Sequence, residues 1–335
     1  MSDARGNPSP AVRNLYVHFP FCRSKCRYCA LYSRAGVSRE ARDAYVRRLA
    51  HELIALKPRL DLATVYFGGG TPALCELGPI FEALKPFLRD ETEFTVELHP
   101  LDVTDGLLDA LRAGGVNRIS MGVQSLDDAT LARMGRGYTA DEARAAFARV
   151  KSRFDNAGVD LIVGYPGDPC DRYATLADWG LRHCSVYSLQ NERGLADVPD
   201  DDWTLDRIRE TARTLADFGL ARYEISNYAE PGFECRHNLA VWNGEDYVGL
   251  GDGAYGRVGL LRTPSGERVT SEADHRERAI FRLRTRAGLE TADDPGWRPA
   301  LDRFVAEGLL ARDGTVYRLT PRGTEVCDTI LMELV

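Results

Sequence analysis

Short apolar runs alternate with amphipathic stretches along much of the chain. The apolar runs predict strands at Leu15–Phe19, Thr64–Phe67, Phe94–Glu97, Arg118–Gly122, Val159–Val163 and Cys184–Leu189. The stretches between them predict helices at Arg39–Lys57, Pro79–Leu88, Asp105–Arg112, Ala140–Phe154, Arg172–Arg182 and Trp203–Phe218. Repeated strand–helix units build a parallel sheet covered by helices. Six units therefore predict an α/β fold, a partial (βα)6 barrel rather than a closed eightfold one.

The pattern changes after residue 222. A stretch rich in Tyr, Gly and Asn, Tyr223–Gly256, leads to a charged loop at Pro264–Arg268. The remainder reads as helices plus a hairpin at Leu309–Leu319, with Asp313-Gly314 as its two-residue turn. This arrangement resembles a winged-helix module. The predicted divisions are a disordered tail (1–13), the barrel (14–222), a connecting region (223–274) and a C-terminal α+β winged-helix-like module (275–335).

Charge argues against a nucleic-acid partner. The net charge of the chain is −7. The predicted winged-helix-like module holds ten arginines, no lysine and ten acidic residues, so it is formally neutral. A DNA-binding wing normally presents a basic face. We therefore expect this module to have a structural or protein-docking role.

The hydrophobic pattern also bears on location. No apolar run approaches the ~20 residues that a membrane span needs. The first ten residues lack the apolar segment of a signal peptide. Eight cysteines without a secretion signal are typical of a reducing compartment, where thiols bind metal or lie buried. We expect a cytoplasmic protein with no membrane span.

Three cysteines follow the first predicted strand closely. Cys22, Cys26 and Cys29 have the spacing C-x3-C-x2-C. A [4Fe–4S] cluster is normally held by four thiolates, so three close ones leave one iron open to a small chelating molecule. A zinc site and buried structural cysteines are the alternatives. Zinc sites favour paired C-x2-C units with a second pair or histidines at a distance, and the sequence has no second pair.

Polar or glycine-rich positions come directly after other strands. They are Gly68-Gly69-Gly70-Thr71-Pro72, Glu97, Gln124 and Gln190, with Asp160 inside the fifth strand. In barrels and open α/β sheets the carboxyl ends of the strands meet on one face, where the chemistry is done. These residues are therefore expected to line one pocket together with the cysteines.

Each of these positions also has a structural interpretation. Successive glycines let backbone approach a ligand, but they also make tight turns, and no Gly-Lys-Ser/Thr follows as in a phosphate loop. Glu97 suits a cationic or hydroxyl group, although most glutamates are solvated. Arg136 suits a carboxylate. Gln124 suits cofactor oxygens, and Asp160 is costly to bury unless it is bonded, for example to ribose hydroxyls.

These motifs carry a family resemblance. Tyr16–Cys22, the cysteine triad, Phe67–Pro72 and Gly115–Gln124 closely resemble the coproporphyrinogen-oxidase-like radical S-adenosylmethionine (SAM) superfamily. Glu224–Gly232, His237–Trp242 and Gly249–Gly256 resemble its HemW branch. The resemblance implies that Cys22, Cys26 and Cys29 ligate a [4Fe–4S] cluster whose open iron binds SAM. It also implies a set of residues around SAM: Tyr16, Tyr28, Gly69, Gly70, Thr71, Glu97, Gln124, Arg136, Asp160 and Tyr255.

Two functions divide this superfamily. Its coproporphyrinogen decarboxylases typically carry a fourth cysteine two positions past the triad, where this chain has Ala30-Leu31. The HemW branch binds heme and is thought to deliver it to respiratory acceptor proteins. The resemblance therefore implies heme or a tetrapyrrole, a heme-acceptor protein, and an electron donor such as flavodoxin or ferredoxin. A radical enzyme acting on a tetrapyrrole or another substrate is the alternative, and an iron–sulfur protein without SAM is a third class.

The HemW motif H-N-x-x-Y-W reads His237-Asn238-Leu239-Ala240-Val241-Trp242 here. Val241 thus replaces the tyrosine, and Tyr255 stands where the branch usually has histidine. Neutral imidazole is a good iron ligand, which makes His237 the axial candidate for heme. A hydrogen-bonded structural histidine is the alternative, and Cys235 is a weaker ligand candidate.

Overall fold

The computed structural model describes residues 11–56, 60–291 and 295–334 of the chain. Its strands are β1 (Val12–Phe19), β2 (Phe21–Cys22), β3 (Arg34–Ala35), β4 (Leu60–Gly69), β5 (Glu93–Leu98), β6 (Arg118–Gln124), β7 (Ala157–Val163), β8 (His183–Ser188), β9 (Ala221–Arg222), β10 (Asn227–Ala229), β11 (Tyr247–Leu250), β12 (Gly256–Val258), β13 (Leu261–Thr263), β14 (Leu289–Glu290), β15 (Leu310–Asp313) and β16 (Val316–Leu319). Its α-helices are α1 (Arg39–Ala55), α2 (Gly78–Leu84), α3 (Asp105–Ala113), α4 (Asp128–Met134), α5 (Ala140–Lys151), α6 (Asp201–Asp217), α7 (Arg236–Trp242), α8 (Ser271–Leu283), α9 (Arg298–Ala306), α10 (Pro321–Glu325) and α11 (Cys327–Met332).

The six predicted strands form the centre of an eleven-stranded sheet. Strands β1, β4, β5, β6, β7 and β8 pair in parallel in that order. A seventh parallel strand, β11, pairs with the free edge of β1, and β12 and β13 continue beyond it. Strands β10 and β9 extend the opposite edge. The α/β fold with a parallel sheet is confirmed, and no pairing joins β13 to β9 within the described residues.

The two faces of this sheet differ in polarity because side chains alternate along each strand. One face is apolar and fully buried, as shown by Val17, Phe67, Val96, Ile119 and Leu161. These residues belong to the main hydrophobic core, which includes residues of α1, α2, α3 and α5. The other face carries polar side chains, among them Tyr16, Tyr66, Glu97, Ser120 and Asp160. This second, polar face of the sheet is therefore the one available for a polar site.

The helix predictions are largely confirmed, with two corrections. The segment Arg172–Arg182 is not an α-helix but a 3-10 segment at Tyr173–Trp179, which has no side-chain N-cap and ends at left-handed Gly180. Helix α4 was not expected, although Asp127 caps its N-terminus and Gly135 ends it in the left-handed conformation. Lys57, the last residue of the first predicted helix, lies outside the described residues.

The C-terminal part has its own core. Residues of α8, α9, α11 and the sheet β14–β16–β15 pack around buried Leu283, Leu301, Tyr317 and Ile330. The predicted hairpin is present, but its turn is Gly314-Thr315, because Asp313 already pairs with Val316. This is an α+β unit, and its likeness to a winged helix stays a prediction.

The ends of the predicted divisions also stay predictions. Residues 1–10 of the predicted disordered tail lie outside the described residues, and β1 already begins at Val12. None of the helices in the described part of the chain has the length and apolar character that a membrane crossing requires.

Candidate functional site

The cysteine triad lies on a loop that is closed at its base. Strands β2 and β3 pair in parallel, and Arg34 donates its backbone N–H to the Pro20 carbonyl at 2.6 Å. Within the loop, Cys29 N–H donates to the Cys26 carbonyl at 3.2 Å. Lys25 Nζ donates to Ser33 Oγ at 2.7 Å, which ties one side of the loop to the other. The loop therefore holds the three sulfurs near the carboxyl end of β1.

A cavity of about 1580 Å³ lies against this loop. Eleven of the predicted site residues line it: Cys22, Cys26, Cys29, Tyr28, Gly69, Gly70, Thr71, Glu97, Gln124, Arg136 and Asp160. They come from the cysteine loop, from the carboxyl ends of β4, β5 and β6, from β7 and from the segment after α4. The strand-end pattern in the sequence thus corresponds to one pocket.

The cysteine triad supplies three sulfur donors from one loop. Burial raises the pKa of the Cys22 thiol, the Ser33 hydroxyl lowers it, and the charges of Cys29 and Cys26 raise it further, so the three groups are neighbours. Within the described residues no three His, Cys, Asp or Glu side chains converge tightly enough to hold one metal ion. The other cysteine that lines the cavity is Cys327, on α11 of the C-terminal module. The donor set fits three thiolate ligands from one loop.

The glycine motif packs the end of β4 against the start of the cysteine loop. A Cβ at Gly70 would lie 2.5 Å from the Phe21 carbonyl oxygen and 2.8 Å from that of Phe19. Gly69 has φ +104°, and a Cβ there would meet the His18 ring. The N–H groups of Gly69, Gly70 and Thr71 all donate to protein oxygens. These three amides are therefore not free to donate to an oxygen of a bound ligand.

Two carboxylates face the cavity from neighbouring strands. Glu97 accepts from the Tyr66 hydroxyl at 2.8 Å and from Gly69 N–H at 3.1 Å. Burial, and next the charge of Asp160, raise the pKa of Glu97 to about 7. Asp160 accepts from Ser120 Oγ at 3.0 Å, and burial raises its pKa too. Bound hydroxyl or cationic groups would relieve this unfavourable pair.

Arg136 braces the cysteine loop. Its Nη1 lies 3.4 Å from Cys26 Sγ and 3.4 Å from the Tyr28 hydroxyl, and its Nη2 donates to the Gly122 carbonyl at 2.6 Å. Its Nε donates to Tyr138 at 2.8 Å. These bonds occupy most of its donors, so the two parallel bonds to a carboxylate that the sequence suggested would require the loss of some of them.

Gln124 stands at the end of β6 in a strained conformation. Its φ is +72°, and the register between β6 and β7 shifts at this point. A non-glycine residue in this region is costly and is often found at functional sites. The bulge places Gln124 among the residues that line the cavity.

Three predicted residues do not line the cavity. Tyr255 lies on the surface, with 72 % of its accessible area exposed. Tyr16 lies inside the barrel, where its hydroxyl is 2.9 Å from His18 Nδ1. His237 is buried in α7, with Nδ1 2.8 Å from Thr64 Oγ1 and its backbone N–H bonded to Glu93 at 3.0 Å. Cys235 is fully buried beside it.

The surroundings of His237 are those of a structural histidine in this structure. Its ring lies 5.3 Å from that of Tyr66 and 6.4 Å from that of Tyr16. Burial, and then the positive charge of Arg118, lower the pKa of His237 to about 3, so the ring is neutral. Ligation of heme by this imidazole would require α7 to move.

Sequence reasoning missed two parts of the cavity. His99 lines it directly after β5, and burial followed by the charges of Arg136 and Arg23 lowers its pKa to about 3. Its Nδ1 accepts the Leu101 N–H at 3.2 Å. The signal in the sequence that could have identified His99 is its position immediately after a predicted strand. The second missed part is the wall formed by α6, since nothing in the sequence shows which helix face borders a cavity.

Comparisons with known proteins bear on the family and the fold of the chain. Residues 16–180 match the model of the radical SAM superfamily. The heme chaperone HemW of Mycobacterium tuberculosis (strain CDC 1551 / Oshkosh) is 31% identical over 96% of this chain and 94% of its own. HemW of Escherichia coli (strain K12) is 29% identical over 95% of this chain and 97% of its own. The solved structure of coproporphyrinogen III oxidase (HemN) from E. coli, a radical SAM enzyme, superposes with a TM-score of 0.82 at 21% identity, over 97% of this chain and 90% of that one.

Proposed function

The chain belongs to the HemW family of radical SAM proteins, and we propose that it binds heme and delivers it to an acceptor protein. Radical SAM proteins use a [4Fe–4S] cluster and SAM, and the reduced cluster supplies one electron to SAM. In our proposal Cys22, Cys26 and Cys29 hold the cluster. The remaining residues proposed around SAM are Tyr28, Gly69, Gly70, Thr71, Glu97, Gln124, Arg136 and Asp160.

The size and extent of the cavity carry this proposal. Pockets for one small molecule usually measure about 300 to 1,000 Å³. This cavity of about 1580 Å³ continues past the proposed SAM residues to α6 and to α11 of the C-terminal module. It therefore has room for a second ligand beside SAM.

The outer part of the cavity suits a flat, largely apolar molecule. Leu205, Ile208 and Ala212 line it from α6, at helical spacing that puts them on one face. Ile225 and Val326 line it from other segments. A heme macrocycle would bury its apolar surface against this wall, whereas free SAM has no comparable flat apolar part.

The proposal places heme against α6 and not against α7. His237 on α7 and Cys235 directly before that helix are buried away from the residues that line the cavity. Their bonds to Thr64 and Glu93 would have to break before either residue reached an iron.

The test is an anaerobic hemin titration of the reconstituted protein, followed by absorbance. We expect a saturable, shifted Soret band. Ala212→Trp would fill the outer cavity and weaken binding at least tenfold, whereas Ala216→Trp, at an exposed position of the same helix, would not. His237→Ala belongs in the same series. No saturable binding by the wild type would rule out the proposal.

A radical enzyme acting on a tetrapyrrole is the second candidate. One observation favours it: the cavity is continuous from the cysteine loop to α6, so a ligand in the outer part would lie next to SAM. 5′-Deoxyadenosine formed in step with consumption of a tetrapyrrole would support this function. 5′-Deoxyadenosine formed without substrate loss would count against it.

The proposal extends to location and partners. We place the protein in the cytoplasm, a reducing compartment where its eight cysteines would remain thiols. A heme-acceptor protein follows from delivery. An electron donor such as flavodoxin or ferredoxin follows from the need to reduce the cluster. Co-purification of an acceptor with the heme-loaded protein, and not with the heme-free protein, tests the first of these.

A further inference from the structure

Four arginines line the outer part of the cavity. Arg209 and Arg213 belong to α6, Arg222 ends β9, and Arg284 follows α8. Glu325 and Asp328 of the C-terminal module line this part as well. A group of cations beside an apolar wall indicates a ligand that is both apolar and anionic.

Two of the four arginines are already paired. Arg209 donates through Nε and Nη2 to both oxygens of Glu325, each at 2.7 Å. Arg284 donates through Nη2 to Asp328 at 2.8 Å. The Arg209–Glu325 pair joins α6 to the C-terminal module, the Arg284–Asp328 pair lies within that module, and both guanidiniums are occupied.

The other two arginines differ. Within the described residues Arg213 makes no side-chain hydrogen bond or ion pair, although it lines the cavity. Arg222 donates Nε to the Ile225 carbonyl at 3.0 Å and stacks on Tyr228 at 5.4 Å. Arg222 is thus fixed in position by neutral groups, and it forms no ion pair with any described residue, although its charge acts on the carboxylates of Glu224 and Glu325.

The two arginines of α6 lie beside the apolar wall of the same helix. Arg209 directly follows Ile208, and Arg213 directly follows Ala212. Each of these two apolar residues therefore has a cationic neighbour at the next position of the helix. A flat molecule on the apolar face would extend its edge towards Arg213. Guanidinium groups bind carboxylates with directional, charge-assisted hydrogen bonds.

We propose that Arg213, together with Arg222 from the lining of the same cavity, binds the free carboxylates of a tetrapyrrole whose ring packs on Ile208 and Ala212. This inference rests on the proposed function and specifies its ligand: a macrocycle with ionised propionates rather than an esterified or uncharged one. Arg213 then sets both the orientation of the ring in the cavity and the selection for the free acid.

The experiment compares hemin with hemin dimethyl ester, which keeps the ring and loses both charges. We expect the wild type to bind hemin about tenfold more tightly than the ester, the scale of one charge-assisted hydrogen bond. Arg213→Gln would weaken hemin binding about tenfold and leave ester binding unchanged, and Arg213→Lys would restore part of the loss. Arg144→Gln, which removes an exposed charge on α5 outside the cavity, is the matched control.

The outcomes separate this inference from the proposed function. If the wild type binds hemin but Arg213→Gln behaves like Arg144→Gln, the carboxylates bind elsewhere and the inference is overturned. Equal weakening of hemin and ester would also overturn it, since it would show a packing effect. If the wild type binds neither molecule, the proposed function itself fails and takes this inference with it. SAM binding by each variant reports that the cavity is intact.

Discussion

Nη1 of Arg136 lies 3.4 Å from Sγ of Cys26, which joins the segment after α4 to the cysteine loop. The guanidinium is buried and held by Gly122 and Tyr138 as well. A fixed cation beside a thiolate ligand stabilises the negative charge that the cluster gains on reduction. We therefore expect the charge of Arg136 to affect the reduction potential of the proposed cluster.

Arg136→Gln is expected to lower the midpoint potential of the reconstituted cluster. The loss is on the order of 50 mV, equivalent to roughly 1 kcal/mol of charge-assisted hydrogen bonding for one electron. The measurement is a potentiometric titration monitored by electron paramagnetic resonance. Arg144→Gln controls for net charge, and an unchanged potential in Arg136→Gln would show that Arg136 only fixes the loop.

Glu97 is expected to make SAM binding depend on pH. Its pKa of about 7 means that the carboxylate ionises as pH rises from 6 to 7.5. If a cationic group of SAM lies against it, binding should tighten about eightfold over that range, because only the ionised form attracts the cation. Equilibrium dialysis with the reconstituted protein measures this.

Two variants test whether Glu97 is the source of this pH dependence. Glu97→Gln should bind SAM weakly and with no pH dependence in this range. Asp160→Asn should move the midpoint to lower pH, because the charge of Asp160 helps to raise the pKa of Glu97. A wild type whose affinity does not change with pH would place the cation of SAM elsewhere.

His237 is expected to make the fold sensitive to acid. Its pKa is about 3 in the folded protein and about 6.5 in the unfolded chain, so the unfolded state binds more protons between these values. The contribution of the neutral His237 ring to the free energy of unfolding is therefore present above pH 6.5 and is lost as pH falls towards 3. Between pH 6.5 and 5 the loss is roughly 2 kcal/mol from this residue alone.

Urea unfolding of the cluster-free protein at pH 6.5 and pH 5 measures the effect. His237→Gln keeps a polar group near Thr64 but cannot titrate, so its stability should fall about 2 kcal/mol less than that of the wild type over this interval. An identical fall in both proteins would mean that His237 is accessible to protons in the folded state.

Gly70→Ala is expected to disturb the cysteine loop. The new methyl group would meet the carbonyl oxygens of Phe19 and Phe21 closer than 3.0 Å, and backbone must shift to admit it. Overpacking of this kind costs about 1 to 3 kcal/mol. We expect reduced cluster incorporation, measured as iron per protein after reconstitution. Gly106→Ala in α3, where a Cβ meets nothing within 4 Å, should incorporate the cluster normally.

Much of the fold is visible in the sequence because its signals are local. All six predicted strands of the parallel sheet are present, since an apolar run bounded by polar residues needs no distant information to become a strand. Because these signals are local, features that depend on distant contacts or on helix capping were not predicted from the sequence. Strand β11 pairs with the edge of β1, a contact between segments far apart in sequence, and the segment Tyr173–Trp179 has the composition of an α-helix without a capping residue at its start.

The candidate site divides in the same way. The sequence alone determined the cysteine spacing and the polar or glycine residues at the strand ends, because parallel strands bring their carboxyl ends to one face whatever the packing around them. Only the tertiary structure decided that His237 is buried against Thr64, that Arg136 faces Cys26, and that α6 forms the outer wall of the cavity. These relationships depend on how helices and loops pack over the sheet, and that packing is set by contacts between residues far apart in the chain.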